Sequence, residues 1–414
     1  MDIWRIEGGN ALHGTIETQG AKNAVLPIMA ASVLCGCRTA LHHCPDLRDV
    51  DGSIDILRCL GCRVRREAGS IYIDSELADR STIPHELMAG MRSSVIFLGA
   101  VLARFGEAIM AMPGGCELGP RPIDLHLSAL REMGAEITEQ GGDIVCFCRQ
   151  LRGAQITLAL PSVGATENIM LAACGAEGTT VITNAAREPE ICDLATFLRK
   201  MGAVITGDGT STVTVSGFEP RRSVEHTVMP DRIAAATWLC AAASAGGEVT
   251  VRGAAARHLQ PVITALSEMG CGLVLSENAI TIGAPQRLRA PKPIATRPYP
   301  GFPTDAQALL MAASLRAEGT SVFTENMFES RFRHVPELQR MGAEISTEGR
   351  VAIVRGVRRL HGAHVTATDL RGSAALLIAA LGAEGMTTLH DSGHLRRGYE
   401  DPVPLLMALG AKIY

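Results

Sequence analysis

Several charged residues of this 414-residue chain sit where chemistry could be done. Six apolar, helix-like runs each open on a polar phrase: GAKNAV (Lys22, Asn23), MRSSV (Arg92), VGATEN (Thr166, Glu167), MPDRIA (Asp231, Arg232), FPTDAQ (Asp305) and TDLRGS (Asp369, Arg371). A helix start offers unpaired N–H groups and the positive end of the helix dipole, and Lys or Arg adds full charge. The chemistry this suits is the binding of a multiply charged anion. Ordinary N-capping accounts for Thr166 and Asp231. It does not account for Lys22, Arg92 and Arg371, because a cation at a helix start opposes the dipole and calls for an anion beside it.

A second feature is PGGCELGPRPIDLHL (113–127). Proline and paired glycines make a loop that presents Cys116, with Arg121 near in sequence. A thiol with an ordinary pKa of about 8.5 is mostly protonated at neutral pH and can serve as a general acid. A buried structural thiol is the plain alternative, and the glycines and Arg121 weigh against it. A third feature is the pair ENMFESRFRHVPEL (325–338) and DSGHLRRGYEDP (391–402), where Arg331 and Arg397 are the candidate ligand-binding cations. Their neighbours Arg333 and Arg396 read as solvated surface charges. Cys59-x-x-Cys62 has no second pair and no histidine at zinc spacing, so no metal site is expected and buried free thiols are.

What must position these residues is a repeated unit. A phrase ending Leu/Met-Gly-Ala/Cys recurs six times, with its glycine at 61, 134, 202, 270, 342 and 410. Each glycine marks a helix that stops and reverses into a strand. The third copy reads βαβαββ: a strand at ITLAL, a helix at ATENIMLAACGA, a strand at TTVITNA, a helix at EICDLATFLRKMGA, then strands at VIT and TVTVSG. AAATWLCAAASAGG (234–247) and AALLIAALGAEG (374–385) have almost no polar face, and a helix apolar all round is buried all round. Such helices belong inside, with sheets outside. Copies one to five end on a strand (IYID, IVCF, TVTVS, ITIG, VAIV). Copy six has none, and the N-terminal IWRIEG supplies it. The expected domains are therefore 21–229, with repeats one to three and the cysteine loop, and 1–20 plus 230–414, with repeats four to six. Two chain crossings between them make a hinge and a cleft.

The bulk figures agree. Apolar residues make up 47% of the chain, enough for a large core; aromatics are only 4% and glycines number 43, so small side chains must do the packing. A net charge of −4 argues against a general nucleic-acid or membrane-surface binder. MDIWRIEGGN lacks the basic start and apolar run of a signal peptide, and no stretch approaches the ~20 residues that span a bilayer. A cytoplasmic location is expected.

Taken together, these strings resemble the UDP-N-acetylglucosamine 1-carboxyvinyltransferases. The matching segments run from Gly20–Asn23 through Met112–Pro122, Ser162–Thr166, Ala186–Glu190, Phe302–Asp305, Thr324–Asn326, Arg331–Phe332, His334–Leu338, Ala367–Arg371 and Arg397–Glu400. They cover essentially the whole chain. The cysteine loop is the specific element, since EPSP synthases lack it. The resemblance implies an α/β fold, the two-domain inside-out α/β barrel of six βαβαββ repeats shared with EPSP synthase. It implies transfer of the enolpyruvyl group of phosphoenolpyruvate to the 3-hydroxyl of UDP-N-acetylglucosamine, the first committed step of peptidoglycan precursor synthesis, without metal or organic cofactor.

By the same resemblance, Lys22, Arg121 and Arg397 hold phosphoenolpyruvate, with Asn23 beside them. Arg92, Arg121, Pro122, Ile123, Asp124, Leu125, Ser162, Val163, Gly164 and Met327 line the UDP-sugar site. Asp305 takes the hydroxyl proton, Cys116 protonates C3, and Asp369, Arg331 and Arg371 support the tetrahedral intermediate. Fosfomycin would alkylate Cys116. A monomer or weak oligomer is implied. Two positions depart from the pattern, Ile96 where some members carry Trp, and Leu160 where some carry a polar residue. Three rivals are an EPSP synthase acting on shikimate 3-phosphate, an idle paralogue that senses UDP-N-acetylglucosamine, and an RNA 3'-phosphate cyclase. Cys116, the complete set Lys22, Cys116, Asp305 and Arg397, and the six-fold count with negative charge weigh against them in turn.

Overall fold

The apolar runs form six inner helices: α1 (Lys22–Cys35), α2 (Phe97–Phe105), α3 (Val163–Cys174), α4 (Arg232–Ala245), α5 (Thr304–Ser314) and α6 (Leu370–Gly382). Alanine and branched aliphatic residues line them on every side, so they gain stability by burial rather than by amphipathic docking. Every residue of α1 except Asn23 is buried, as is every residue of α4 except Ala245 and of α6 except Leu370. The computed structural model describes residues 2–112, 123–217 and 222–414.

The chain divides into two compact units. Among the described residues, the first contains 20–112, 123–217 and 222–229, with α1, α2 and α3, and the second contains 2–19 and 230–414, with α4, α5 and α6. Each unit has its own apolar core and three four-stranded sheets. The strands alternate between exposed and buried positions, as in Thr179–Thr183 and Thr320–Thr324, so one face of each sheet meets the helices. In every sheet a parallel pair is extended by antiparallel partners.

Two sheets are completed from a distance. Strand β1 (Asp2–Glu7) pairs antiparallel with Met386–Asp391 and with Lys412–Ile413, supplying the strand that copy six lacks. Strand β2 (Leu12–Glu17) precedes repeat one yet lies parallel to Gly247–Arg252 of repeat four. Conversely, Val224–Thr227 precedes repeat four yet lies parallel to Arg38–His42 of repeat one. Repeats one and four have thus traded their first strands, which the chain achieves by passing between units at 19–20 and 229–230.

The recurring glycines have one local cause. Gly61, Gly134, Gly202, Gly270, Gly342 and Gly410 all adopt positive φ, from 89° to 119°. The residue after each donates its N–H to the carbonyl of a leucine five positions back, at Leu57, Leu130, Leu198, Leu266, Leu338 and Leu406, over 2.9 to 3.2 Å. This is the helix stop that satisfies orphan carbonyls and turns the chain into the next strand. The leucine is therefore as much a part of the repeat as the glycine.

One expectation needs adjustment. In repeat two the inner helix does not begin at MRSSV: a 3-10 turn over Arg92–Ile96 comes first and α2 follows at Phe97. Ile96 is buried in the first unit's core, while Leu160 is exposed.

Candidate active site

In the second unit, Asp305 stands in the first turn of α5. Its carboxylate meets two guanidiniums, Arg331 Nη2 at 2.8 Å on Oδ1 and Arg371 Nη2 at 3.4 Å on Oδ2. The arginine side chains are only 3% and 4% exposed, whereas that of Asp305 is 31% exposed, so the carboxylate keeps an open side. Arg331 also donates to the Thr304 carbonyl at 3.0 Å. Its cationic carbon lies 5.5 Å from the Phe328 ring. Arg371 donates Nη1–H to the Tyr399 hydroxyl at 2.7 Å. Tyr399 bonds Thr237 at 2.8 Å, and Thr237 donates on to the Ile233 carbonyl at 2.8 Å, so the hydroxyl proton of Tyr399 points to Thr237. Arg371 is thereby tied to α4 through a fully oriented relay.

Two buried cations sharing one carboxylate are short of acceptors. The Nε–H groups of Arg331 and Arg371 find none among the described residues. A buried donor left unpaired costs about 1–3 kcal/mol. His334 lies wholly buried nearby in sequence, with no ring hydrogen bond of ordinary geometry among the described residues. Burial, ahead of the opposing effect of Asp369, lowers its pKa to about 4, so it is neutral at pH 7.

Asp369 caps α6, its Oδ1 accepting from the Arg371 and Gly372 amides at 3.1 Å each. Asp231 caps α4 in the same way, accepting from Ile233 and Ala234 at 2.8 and 3.0 Å. The expectation for Thr166 is corrected: Ser162 caps α3 by accepting from Ala165 at 3.3 Å, while Thr166 donates to the Ser162 carbonyl and accepts from Ala186 at 3.0 Å. A hydroxyl one turn into a helix bonds backward to a carbonyl more readily than it caps. Arg397 is half-buried at the end of the 3-10 turn Leu395–Arg397. Arg333 and Arg396 are exposed, and Arg396 pairs with Asp2 at 3.1 Å.

In the first unit, Lys22 opens α1 and pairs with Asp49 at 2.6 Å. Asp49, in the first turn of helix Arg48–Cys59, is the anion that the misplaced cation requires. Pro27 lies inside α1 and has no N–H to give the Asn23 carbonyl. Asn23 itself is half-buried.

Ile123, Asp124 and Leu125 start helix Asp124–Glu132, and Ser162, Val163 and Gly164 start α3. One buried pair joins these segments: the Asn168 amide donates to His126 Nδ1 at 2.8 Å and to the Val95 carbonyl at 2.8 Å, and accepts from Gly99 N at 2.6 Å. His126 must therefore carry its proton on Nε2, and burial lowers its pKa to about 4. A side chain at Gly99 would strike Asn168 at 2.3 Å, which explains the glycine within α2. Met327 is 36% exposed at the start of the loop that leads to Arg331. Of the expected site residues, Cys116, Arg121 and Pro122 lie outside the described residues, and Arg92 opens the 3-10 turn already given.

Within the second unit the structure thus unites Asp305, Arg331 and Arg371, with Asp369 capping the helix that carries Arg371. Sequence reasoning missed Tyr399, Thr237, Asp49, His126, Asn168 and Glu325. Tyr399 and Glu325 sit inside segments already singled out. His126 and Asn168 do too, in 113–127 and VGATEN, whereas Asp49 lies outside any motif and Thr237 reads as core.

This fold, two units of three buried helices walled by three four-stranded sheets each, is that of the EPSP synthase class of transferases. The family described as EPSP synthase (3-phosphoshikimate 1-carboxyvinyltransferase) matches residues 6–406. Among solved structures, the enolpyruvyl transferase NikO from Streptomyces tendae superimposes with a TM-score of 0.89 at 26% identity, covering 100% of this chain and 98% of that one. EPSP synthase from Acinetobacter baumannii shares the fold alone, with a TM-score of 0.74 at 20% identity over 100% of each chain. Full-length relatives include UDP-N-acetylglucosamine 1-carboxyvinyltransferase 2 of Caldanaerobacter subterraneus subsp. tengcongensis, 49% identical over 100% of this chain and 99% of its own. The enzymes of that name from Geotalea uraniireducens and Myxococcus xanthus are 45% and 44% identical over the same shares. The chain belongs to the UDP-N-acetylglucosamine 1-carboxyvinyltransferase family.

Proposed function

We propose that this protein transfers the enolpyruvyl group of phosphoenolpyruvate to the 3-hydroxyl of UDP-N-acetylglucosamine and releases phosphate, opening peptidoglycan precursor synthesis in the cytoplasm. The observation that carries the reading is the end-to-end likeness to enzymes of that name, 49% identical across 413 residues. No described helix is long and apolar enough to cross a membrane, in keeping with soluble substrates. A monomer or weak oligomer suffices for the reaction.

In this reading Lys22, Arg121 and Arg397 grip the phosphate and carboxylate of phosphoenolpyruvate, with Asn23 alongside. Their charges offset those of the substrate. Asp49 beside Lys22 keeps the ammonium aimed while phosphoenolpyruvate is absent. Arg92, Arg121 to Leu125, Ser162 to Gly164 and Met327 hold the UDP-sugar. Asp305 accepts the proton of the 3-hydroxyl through its exposed side as that oxygen bonds to C2. The C2–C3 π electrons take a proton from the Cys116 thiol, giving a tetrahedral ketal phosphate. Arg331 and Arg371 stabilise the charge that builds there, and Asp369 holds the start of α6 so that Arg371 faces it. Loss of a C3 proton to the thiolate then expels phosphate, which takes up the proton held by Asp305, and restores the double bond. Cys116 is returned as a thiol.

The test is phosphate release from phosphoenolpyruvate. Release that needs UDP-N-acetylglucosamine, and does not occur with shikimate 3-phosphate, is the expected result. Release with shikimate 3-phosphate alone, or tight UDP-sugar binding without turnover, would overturn the proposal.

A further inference from the structure

Asp305 can act only if its carboxylate is aimed, and its aim depends on Arg331, which belongs to the irregular segment after strand Thr320–Thr324. The group that shapes that segment is a second carboxylate. Glu325 is 1% exposed, and no lysine, arginine or histidine pairs with it among the described residues. It is satisfied wholly by neutral donors. Its Oε1 accepts from the Thr296 hydroxyl at 2.9 Å, the Met327 amide at 2.7 Å and the Phe328 amide at 3.1 Å. Its Oε2 accepts from the Thr304 hydroxyl at 2.9 Å. Four donors, two hydroxyls and two backbone amides, thus converge on this one carboxylate. A buried polar group whose hydrogen bonds are all made is rigid once assembled.

These contacts fall on two segments. Met327 and Phe328 lead to Arg331, and the Phe328 ring lies under its guanidinium. Thr304 opens α5 immediately before Asp305, and its carbonyl accepts from Arg331 at 3.0 Å. Thr296 reinforces the first segment, its hydroxyl accepting from the Asn326 amide at 2.8 Å. Glu325 therefore grips both sides of the Arg331–Asp305 pair without touching either member.

We infer that Glu325 is a positioning residue for the acid–base chemistry of Asp305: it locks the start of α5 to the segment bearing Arg331, so that carboxylate and guanidinium meet in one geometry. This rests on the reading of Asp305 as the base. It makes the Thr304 hydroxyl, which bonds Glu325 rather than Asp305 or Arg331, a determinant of turnover.

The experiment compares Thr304→Val, Thr304→Ser, Glu325→Gln and Asp305→Asn by steady-state kinetics with both substrates, with thermal unfolding as a check. Thr304→Val removes only the Oε2 contact and keeps side-chain volume. The expected result is a loss of kcat of tenfold or more in Thr304→Val and Glu325→Gln, with both KM values within about threefold of wild type. Thr304→Ser, which retains the hydroxyl, restores kcat. Equal activity of Thr304→Val and Thr304→Ser, or a loss expressed wholly in KM, overturns the inference even when Asp305→Asn is inactive. Full turnover by Asp305→Asn would instead remove the base reading on which it stands.

Discussion

Two histidines are held neutral by burial, and the acid stability of the protein should show it. His126 and His334 each have a folded-state pKa lowered to about 4 from an ordinary 6.5. Between those values the unfolded chain binds protons that the folded chain refuses, so stability falls as pH drops from about 6.5 towards 4 and is unaffected above that window. A shift of this size corresponds to roughly 3 kcal/mol for each histidine at the acid end. His126→Gln can keep an acceptor for Asn168 and carries no titrating proton, so it should flatten the stability profile between pH 6.5 and 4 in denaturant titrations. An unchanged slope would show that His126 does not carry the effect. Thiols obey the same logic. Burial pushes the thiols of Cys44 and Cys62 up to about 12, so they resist alkylation at neutral pH. Fosfomycin should therefore add one label per chain, at Cys116, as peptide mapping would read. Cys116→Asp should escape labelling yet keep some turnover, because a carboxylic acid also donates a proton.

The helix stops are the element most legible in the sequence and most exposed to a simple substitution. Gly270 adopts φ 95° and would bring an added Cβ no nearer than 3.6 Å to a neighbour, so the conformation alone resists replacement. Gly270→Ala should cost about 1–2 kcal/mol, the penalty of a left-handed backbone for an L-residue, measured by denaturant unfolding with kinetics unchanged. A neutral effect would mean the turn relaxes. The six glycines and the apolar inner helices could be read because their cause is local: a turn needs glycine, and full burial needs an all-apolar surface. The missing strand of copy six could be read because a repeat counts its own parts. The traded first strands could not, since Leu12–Glu17 and Val224–Thr227 look alike and nothing local says which sheet each joins. Lys22 announced an unnamed anion through its conflict with the helix dipole, but only tertiary structure identifies Asp49. Tyr399 and Glu325 lay inside noted segments, yet their roles come from partners as far away as Thr237 and Thr296.

At the scale of the whole molecule, the two passages of chain between the units run side by side. The Ala21 amide donates to the Met229 carbonyl at 2.7 Å, and the Asp231 amide donates to the Gln19 carbonyl at 2.8 Å. Gln19 has a further task. Its side chain donates to the Gly398 carbonyl at 3.1 Å and accepts from the Glu400 amide at 3.0 Å, bracketing the segment that follows Arg397. The residue at which the chain leaves the second unit thus holds the backbone just after one of the proposed phosphoenolpyruvate ligands. Gly398 leaves that segment little room to shift, since a Cβ there would meet Leu370 at 2.8 Å. Gln19→Leu keeps the volume and removes both hydrogen bonds, which frees the segment without unfolding it. The expected result is a several-fold rise in KM for phosphoenolpyruvate, because Arg397 must be ordered at the moment of binding and part of the binding energy is used for it. KM for UDP-N-acetylglucosamine, whose proposed contacts lie elsewhere, should change little. If both constants rise together, Gln19 acts on the passages between the units rather than on the Arg397 segment. If neither moves, the two hydrogen bonds do not order that segment.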